Sequence, residues 1–305
     1  MDQYPHPKVL VLLATFNGAN YLPAQLDSIL NQQKVAVHIV ISDDQSSDDT
    51  PNVLSKLSDE RFEVLPSVTI LGSAGKNFYR LILDAKIDGY DYIAFADQDD
   101  IWGQDKLINH IQLAKYNQAD GVSSNVMAFW SNGENKEIIK SQPQKKWDFL
   151  FESAGPGCTF LMTPWLINKV REQLMDAQSP ARQVILHDWL TYAICRAHGH
   201  KWIIDSTPSM LYRQHSNNVV GANIGLKAKL ARLKKLKQGW YRAEVIKVAA
   251  VVALISDNAG LKKLNKLLNQ KSFISQIKLL LYVPQARRFA LDRFVLFVLI
   301  ASFVF

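Results

Sequence analysis

The feature that most restricts the fold of this 305-residue chain is a repeated pattern in its first hundred residues: a short apolar run that ends in polar or acidic residues. The runs are 8–15 (KVLVLLAT), 35–42 (VAVHIVIS) and 92–96 (YIAFA), and segments with helical spacing of apolar residues separate them. Continuous apolar runs of this length are typical of strands buried on both faces of a parallel sheet. The alternation therefore predicts an α/β fold with a doubly wound, mostly parallel sheet.

The remaining pattern predicts further elements of the same kind. We expect helices at 21–31, 77–87, 164–176 and 188–198, with Ser46 or Ser47 capping a helix whose first turn contains Pro51. We expect further strands at 68–71, 158–162, 202–205 and 209–213, and strand-like structure between 119 and 130.

Acidic residues follow two of the predicted strands directly. Asp43 and Asp44 end the second strand, and the cluster DQDD (97–100) ends the strand at 92–96. In open α/β sheets, ligands bind at the carboxyl ends of the strands. The sequence therefore places its acidic clusters where a ligand is expected.

The DQDD cluster predicts a cation site. Asp97 and Asp99 would lie side by side in a turn, an arrangement that a cation neutralises. Carboxylate oxygens suit Mg²⁺ or Mn²⁺, which keep open positions for substrate phosphates. The alternative is that Asp99 or Asp100 caps the helix that starts near Gln104.

Two further interpretations stay open on local pattern alone. Asp44 could accept the imide N–H of uracil or thymine, or Asp43-Asp44 could form an Asx-turn that leads into the Ser47 cap. Lys76 and Arg80 could face a diphosphate, or they could be solvated helix positions.

The last quarter of the chain differs from the rest in charge. Residues 1–224 contain 19 Lys and Arg against 25 Asp and Glu, a net −6, whereas residues 225–305 contain 16 against 3, a net +13. The segment 226–237 alternates leucines with cations at helical spacing, which favours an interfacial anchor over a solvated helix packed through its leucines. The apolar end, 294–305, is shorter than the roughly 20 residues that a transmembrane helix needs. Two cysteines and an N-terminus unlike a signal peptide predict a reducing, cytosolic setting.

Six blocks in order then make the chain resemble a known family. They are ATFN (14–17), ISDDQSSDDT (41–50), FADQDDIW (95–102), GPGCTFLM (155–162), LHDWL (186–190) and YRQHSNNVVGA (212–222). Together they resemble the family 2 glycosyltransferases, and the last block resembles bacterial polysaccharide rhamnosyltransferases. The resemblance implies an A-type glycosyltransferase fold in residues 1–222, with a nucleotide-binding half at about 8–118 and an acceptor half at about 119–222. Residues 223–305 would then form a basic, amphipathic helical tail at the membrane.

The resemblance also implies roles for individual residues. Thr15, Phe16 and Asn17 would line the base pocket beside Asp44, and Asp188 would be the catalytic base. Three more residues would bind the metal or the donor. Asp97 would contact the ribose or the metal, Asp99 would be the direct metal ligand, and His215 would contact the metal or the diphosphate. Phe16 replaces the family's usual Tyr, and Gln45 stands where Gly is common.

The implied activity is inverting transfer of a sugar, with L-rhamnose from dTDP-rhamnose favoured, onto a polyprenyl-diphosphate-linked glycan in cell-surface polysaccharide synthesis. A divalent metal (Mg²⁺ or Mn²⁺) and a dTDP- or UDP-sugar donor are expected, with an anionic membrane surface, and no nucleic acid, as further partner. Three alternatives stay open at this point. They are a family 2 transferase of another sugar, a sugar-phosphate nucleotidyltransferase, although the Gly-rich loop of those enzymes is missing after the first strand, and a non-enzymatic lipid- or nucleic-acid-binding protein.

Overall fold

A computed structural model describes residues 6–215, 239–270 and 272–305. The strands, in chain order, are β1 (Lys8–Thr15), β2 (Ala36–Asp43), β3 (Phe62–Val64), β4 (Tyr92–Asp97), β5 (Ile101–Trp102), β6 (Gly121–Ser124), β7 (Val126–Phe129), β8 (Asn135–Ile138), β9 (Leu161–Met162), β10 (Trp202–Asp205) and β11 (Met210–Arg213). The helices are α1 (Leu22–Leu30), α2 (Thr50–Ser55), α3 (Ala74–Asp84), α4 (Lys106–Asn117), α5 (Pro164–Met175), α6 (His187–Ala197), α7 (Trp240–Ile255), α8 (Ala259–Asn269), α9 (Phe273–Leu280) and α10 (Ala290–Ala301).

A seven-stranded sheet in the order β10-β6-β9-β4-β1-β2-β3 lies at the centre of the molecule. β1 pairs in parallel with β2 and β4, and β9 runs antiparallel between β4 and β6. Alternate residues of β1 enter two different cores: Val9 and Val11 pack on one face, Leu10 and Leu12 on the other. Burial on both faces explains the continuous apolar run, and the predicted doubly wound sheet is confirmed.

The third strand is not the one that the sequence predicts. β3 is Phe62–Val64, beside β2, whereas residues 68–71 form a loop. Val68 and Ile70 are exposed in that loop. The prediction of a strand at 68–71 was wrong because an apolar run was taken as buried although it lies at the surface.

Two helix starts also differ from expectation. α2 begins at Thr50, whose backbone N–H donates to Asp48 Oδ1 at 3.0 Å, so Asp48 and not Ser46 or Ser47 satisfies the helix start. α3 begins three residues earlier than predicted because Ser73 accepts a hydrogen bond from the Lys76 N–H. Both differences reflect capping chemistry, which fixes a helix end to within a residue.

A second, four-stranded sheet in the order β5-β11-β7-β8 brings distant blocks of the chain together. β5 follows the DQDD cluster directly and pairs antiparallel with β11, with Met210 opposite Trp102 and Leu211 opposite Ile101. The Arg213 backbone N–H then donates to Asp100 Oδ1 at 3.2 Å. The YRQH block therefore lies against the acidic cluster.

The helices α7–α10 share a core with the sheet-bearing part of the chain. Val248 and Leu264 belong to the same cluster of buried side chains as Leu190 of α6. Segment 226–237, the predicted anchor, lies outside the described residues, and the division of the chain at residue 222 stays a prediction. In the described ranges, no helix combines the length and the apolar character needed to cross a bilayer.

A buried ion network fastens these helices to the rest of the molecule. Asp148 is fully buried and accepts hydrogen bonds from the Tyr192 hydroxyl at 3.0 Å and from Arg196 and Arg288 at 3.3 Å each. Breaking such a buried pair leaves an uncompensated charge and is strongly destabilising. Arg288 near the chain end is thereby tied to the middle of the sequence.

Candidate active site

The first site residues stand at the carboxyl edge of three neighbouring strands. Thr15 ends β1, Asp43 ends β2 and Asp97 ends β4. The register sets Thr15 opposite Asp43 and Ala14 opposite Asp97. The predicted base-binding residues and the predicted metal-binding acids therefore share one edge of the sheet, as the topology of parallel strands requires.

Gln98, which the sequence did not single out, joins two of these strand ends. Its Oε1 accepts from the Thr15 hydroxyl at 2.6 Å and from the Phe16 N–H at 2.8 Å, and its Nε2 donates to the Phe16 carbonyl at 3.1 Å. A Cβ on Gly18 would lie 2.2 Å from the same Oε1, so a glycine is needed there. The side-chain amide of Gln98, which lies between Asp97 and Asp99 in the sequence, therefore orders the loop that follows β1.

The loop after β1 is also tied to the loop after β2. The Asn17 N–H donates to Ser46 Oγ at 2.8 Å, and Asn17 Oδ1 accepts from the Ser47 N–H at 2.8 Å. Phe16 is left 52% exposed, with its ring available for stacking. Gln45 has a φ of 56°, which explains why a glycine suits this position.

Asp44 has a structural role that its sequence position did not reveal. It is buried, and its two oxygens accept from the backbone N–H groups of Leu71 at 2.5 Å and Gly72 at 2.8 Å. The carboxylate thus holds the 66–72 loop over the strand ends. Contact with a pyrimidine imide would use a remaining lone pair and stays a prediction.

His215 closes over the acidic cluster. Its Nε2 lies 2.7 Å from Asp99 Oδ2, and its ring stacks on Tyr21 with centroids 5.1 Å apart. Arg213 donates from Nε to the Asp99 carbonyl at 2.8 Å and lies over the Tyr21 ring at 4.9 Å. The structure brings Asp99 and His215 together, although 116 positions separate them.

Asp97 forms a second group with two residues that the sequence did not assign to the site. One ligand atom from each of Asp97, Asp100 and Cys158 lies within 4.8 Å of the others. Burial, together with the charges of Asp99 and Asp188, raises the pKa of Asp97 to about 7. Burial also raises the pKa of the Cys158 thiol well above its usual value. The thiol is therefore neutral and can donate to the carboxylates of Asp97 and Asp100.

The donor set fits a divalent cation. Asp97, Asp99 and Asp100 are crowded at one strand end, and Asp100 Oδ2 is buried with no hydrogen-bond partner among the described residues. Carboxylate oxygens are the ligands that Mn²⁺ and Mg²⁺ prefer. Asp97 with Asp100, and Asp99 with His215, form two groups that could hold such a cation, and fully buried Asp100 also accepts a hydrogen bond from the Arg213 N–H. The predicted ligand set Asp97, Asp99 and His215 stays a prediction.

Asp188 approaches the cluster from the start of α6. It is half-buried, and burial raises its pKa to about 6 against the hydrogen bond that it accepts from the Trp189 N–H at 2.7 Å. Asp188 lies beside Gly157, the neighbour of the Cys158 that groups with Asp97, and its charge adds to the effect of burial in raising the pKa of Asp97. A Cβ on Gly157 would lie 2.6 Å from His187 Nε2 and 3.2 Å from Asp188 Cβ, which explains the glycine in the GPGCTF block.

Several other residues near the site pack in the core of the protein. Trp102 and Trp189 are almost fully buried, and the Trp189 Nε1–H donates to the Phe149 carbonyl at 2.9 Å. His187 stacks on Phe78, and burial lowers its pKa to about 3, so it is neutral. Arg80 is buried and bonds to Ser42 Oγ at 3.0 Å, so it is not a solvated position, whereas Lys76 is exposed on α3, as the solvated alternative predicts for at least one of the two.

Comparison with known proteins agrees with this geometry. Residues 10–163 match the family model described as Glycosyl transferase family 2. The chain is 43% identical, over 79% of its length and 84% of the relative's, to "dTDP-rhamnosyl transferase RfbG" of Shigella flexneri. It is 28% identical, over 55% of its length and 64% of the relative's, to "UDP-Glc:alpha-D-GlcNAc-diphosphoundecaprenol beta-1,3-glucosyltransferase WfgD" of Escherichia coli.

Solved structures share the fold at low identity. The S. aureus TarS 1-349 complex with UDP superposes with a TM-score of 0.58 at 16% identity, covering 86% of this chain and 69% of that one. The mannosyltransferase PcManGT of Pyrobaculum calidifontis, in complex with GDP-Man and Mn2+, gives 0.51 at 16% identity, covering 99% and 86%.

Proposed function

Because the chain belongs to glycosyltransferase family 2, we propose that it is an inverting transferase that moves L-rhamnose from dTDP-rhamnose onto a polyprenyl-diphosphate-linked glycan. The observation that carries the proposal is that Asp97 and Asp99 stand at the end of β4, while Asp188 lies beside Gly157, next to the Cys158 that groups with Asp97. The identity to a dTDP-rhamnosyl transferase supports the donor. The diphosphoundecaprenol in the names of two further relatives supports the acceptor.

The donor would bind across the ends of β1, β2 and β4. Phe16 offers an exposed ring to the pyrimidine, and Thr15, Asn17 and Asp44 order the loops around it. Asp97, Asp99 and His215 would hold a divalent cation, which when bound neutralises the diphosphate of the donor. The Arg213 guanidinium fixes the backbone of Asp99 and keeps this edge rigid.

Asp188 would act as the general base. It takes the proton of the acceptor hydroxyl as that oxygen forms the new bond to the anomeric carbon. The bond from the anomeric carbon to the diphosphate oxygen breaks on the opposite face, dTDP leaves, and the anomeric configuration inverts. A pKa of about 6 leaves Asp188 ionised, and sufficiently basic, at neutral pH.

A lipid-linked acceptor requires the enzyme to work at a membrane. The net charge of +13 in residues 225–305 suits the anionic cytoplasmic face, and we place the protein there as a peripheral protein without a role for nucleic acid. A cell-surface polysaccharide such as O-antigen or capsule would be the product.

The test is a donor panel with the purified full chain. dTDP-rhamnose, UDP-glucose and other nucleotide sugars are each offered with a polyprenyl-diphosphate-linked acceptor, with manganese or with EDTA. We expect dTDP release from the rhamnose donor alone, and loss of turnover in EDTA. Release of UDP from UDP-glucose would instead favour the glucosyltransferase relatives, and turnover that survives EDTA would contradict the metal assignment.

Three variants make the test specific. Asp99→Ala should abolish transfer, whereas Asp188→Asn should bind the donor normally and lose turnover by about 10²–10⁴-fold. Asp205→Asn is the matched control, because Asp205 also ends a strand of the same sheet but bonds only locally, to the Thr207 N–H at 3.1 Å. Near-normal turnover of Asp188→Asn would remove Asp188 from the role of base.

A further inference from the structure

The last helix of the chain exposes the side that a globular protein normally buries. In α10 only Leu296 and Ile300 are buried. Leu291, Phe294 and Phe297 are 62%, 63% and 46% exposed. Single exposed apolar residues are ordinary on a protein surface, but contiguous ones mark a contact with something other than water.

The neighbouring helix extends the same surface. Phe273 and Ile274 of α9, and Leu281 directly after it, are also exposed. The rings of Phe273 and Phe303 stack with centroids 5.7 Å apart, which joins the start of α9 to the end of α10. We call this surface the outer apolar face: Phe273, Ile274, Leu281, Leu291, Phe294 and Phe297.

The arginines around the start of α10 point the other way. Arg287 pairs with Asp292 at 2.5 Å and donates to the Phe151 carbonyl, and Arg288 reaches Asp148 at 3.3 Å. Arg293 donates to the carbonyl of Arg288 at 2.7 Å. Because these bonds hold the helices with their cations inward, the outer apolar face cannot turn into the core without leaving buried charges unpaired.

The surroundings of this face suit an anionic bilayer. Lys262, Lys263 and Lys266 of α8 and Lys278 of α9 are exposed, and of the acids in residues 239–270 and 272–305 only Asp257 is exposed. α10, with 12 residues, is about 18 Å long, too short to cross a membrane. An apolar helix face bordered by lysines is the pattern of a helix that lies in the headgroup region.

The same helices rest on the segment that contacts the proposed base. Arg288 Nη2 donates to the Ser153 carbonyl at 2.6 Å, and Ser153 Oγ donates to the Gly155 carbonyl at 3.0 Å, in the segment that leads to Gly157 beside Asp188. Tyr241 of α7 stacks on Trp189, the residue after Asp188, with centroids 6.1 Å apart. The apolar face and the acceptor side of the active site are therefore rigidly connected.

We infer that the outer apolar face of α9 and α10 docks the enzyme on an anionic phospholipid bilayer. Docking through this face, rather than through segment 226–237 alone, sets the height of Asp188 above the membrane where a lipid-linked acceptor presents its hydroxyl. The second statement rests on the proposed function; binding to the bilayer does not.

Vesicle flotation tests the docking face without any substrate. The full chain is floated with vesicles of phosphatidylglycerol and phosphatidylethanolamine, and with vesicles of phosphatidylcholine alone. Phe294→Ser/Phe297→Ser should lower the partition coefficient on the anionic vesicles by at least about tenfold, since two large apolar side chains lose their burial. The matched control is Tyr116→Ser/Met175→Ser, which removes two exposed apolar side chains from α4 and α5 and should bind like the unchanged protein.

Three results would overturn the inference. In the first, the α10 double variant floats as well as the unchanged chain. In the second, binding disappears only when the cations of 226–237 are replaced. In the third, light scattering shows a dimer that the α10 substitutions dissociate without changing flotation, which would assign the face to a second copy. Thermal unfolding of each variant checks that it folds. Vesicle binding with no transfer from any nucleotide sugar would contradict the proposed function and leave the docking face intact.

Discussion

The Nε2 atom of His215 lies 2.7 Å from Oδ2 of Asp99, and this pair joins the end of the second sheet to the strand end that carries the acids. The Tyr21 ring fixes the imidazole from one side. The two residues are thus held against each other, and a cation that bound both would replace the hydrogen bond between them.

Removing the imidazole should weaken metal binding. We expect His215→Ala to reduce the apparent Mn²⁺ affinity about 10–100-fold, the range seen when a residue that ligates a metal or orients a ligand is lost. The measurement is activity as a function of manganese concentration. The control is His200→Ala, which breaks a similar pair with Asp120 at 2.6 Å beside α4, away from the acids, and should leave the manganese curve unchanged. Equal curves for all three proteins would exclude His215 from the site.

Metal binding should release a proton near neutral pH. The pKa of Asp97 is raised to about 7, so at that pH about half of the molecules carry a protonated carboxyl that a cation must displace. Manganese affinity should therefore rise between pH 6 and 8. Isothermal titration in two buffers of different ionisation enthalpy counts the proton directly, and identical heats in both buffers would contradict the assignment.

The pKa of Asp188 predicts opposite effects on rate and stability. With the site saturated in manganese, kcat/KM should rise with pH through about 6 and then level off, because the base must be ionised. A carboxyl whose pKa is raised by folding from 3.8 to about 6 makes the folded state less stable as pH rises through that interval. Asp188→Asn should therefore lose turnover and gain about 1–3 kcal/mol of stability at pH 7. A variant that is less stable at pH 7 than the unchanged chain would show that the carboxylate stabilises the fold.

Gln98 should affect donor binding more than the chemical step. Gln98→Ala removes three hydrogen bonds that order Thr15 and Phe16, so we expect about a tenfold weaker affinity for dTDP with a smaller change in kcat. Equilibrium dTDP binding is the readout. Gln104→Ala, an exposed glutamine six positions along the chain, is the control. Unchanged dTDP affinity in Gln98→Ala would mean that the loop orders itself without this amide.

Asp148 should be a major determinant of stability. Asp148→Ala leaves Arg196 and Arg288 without their buried partner, and we expect a loss of about 3–5 kcal/mol in the free energy of unfolding. Chemical denaturation measures it. Asp257→Ala, which removes an exposed partner of Lys262, should leave the midpoint in place. Similar midpoints for both variants would refute the importance of the network.

The sequence was sufficient to predict the strands of the central sheet and most of the acidic residues of the candidate site. The apolar runs at β1, β2 and β4 predict strands because burial on both faces leaves no polar position, and Asp97, Asp99 and Asp188 stand out as acids at strand and helix ends. The run at 68–71 misled because apolar residues can lie in a surface loop that a carboxylate, here Asp44, holds in place.

Other parts of the site depend on contacts that no local pattern contains. Gln98 and Cys158 act through hydrogen bonds across the site. No sequence spacing distinguishes a glutamine or a cysteine that has such a role from one that does not. The inward pairing of Arg287 and Arg288 depends on a loop 135 or more positions away. The sequence pattern identifies α10 as an apolar helix. It does not show that the charged residues before it, Arg287 and Arg288, are buried while its apolar residues are exposed.

The position of Arg288 has a consequence for how the protein is made. A ribosome releases the catalytic sheet long before it releases α9 and α10, and until then the carboxylate of Asp148 lacks one of its cationic partners. Cotranslational folding can form the sheet but cannot complete the surroundings of Asp188. The surroundings of the proposed base and the proposed docking face are therefore completed in the same late step of synthesis.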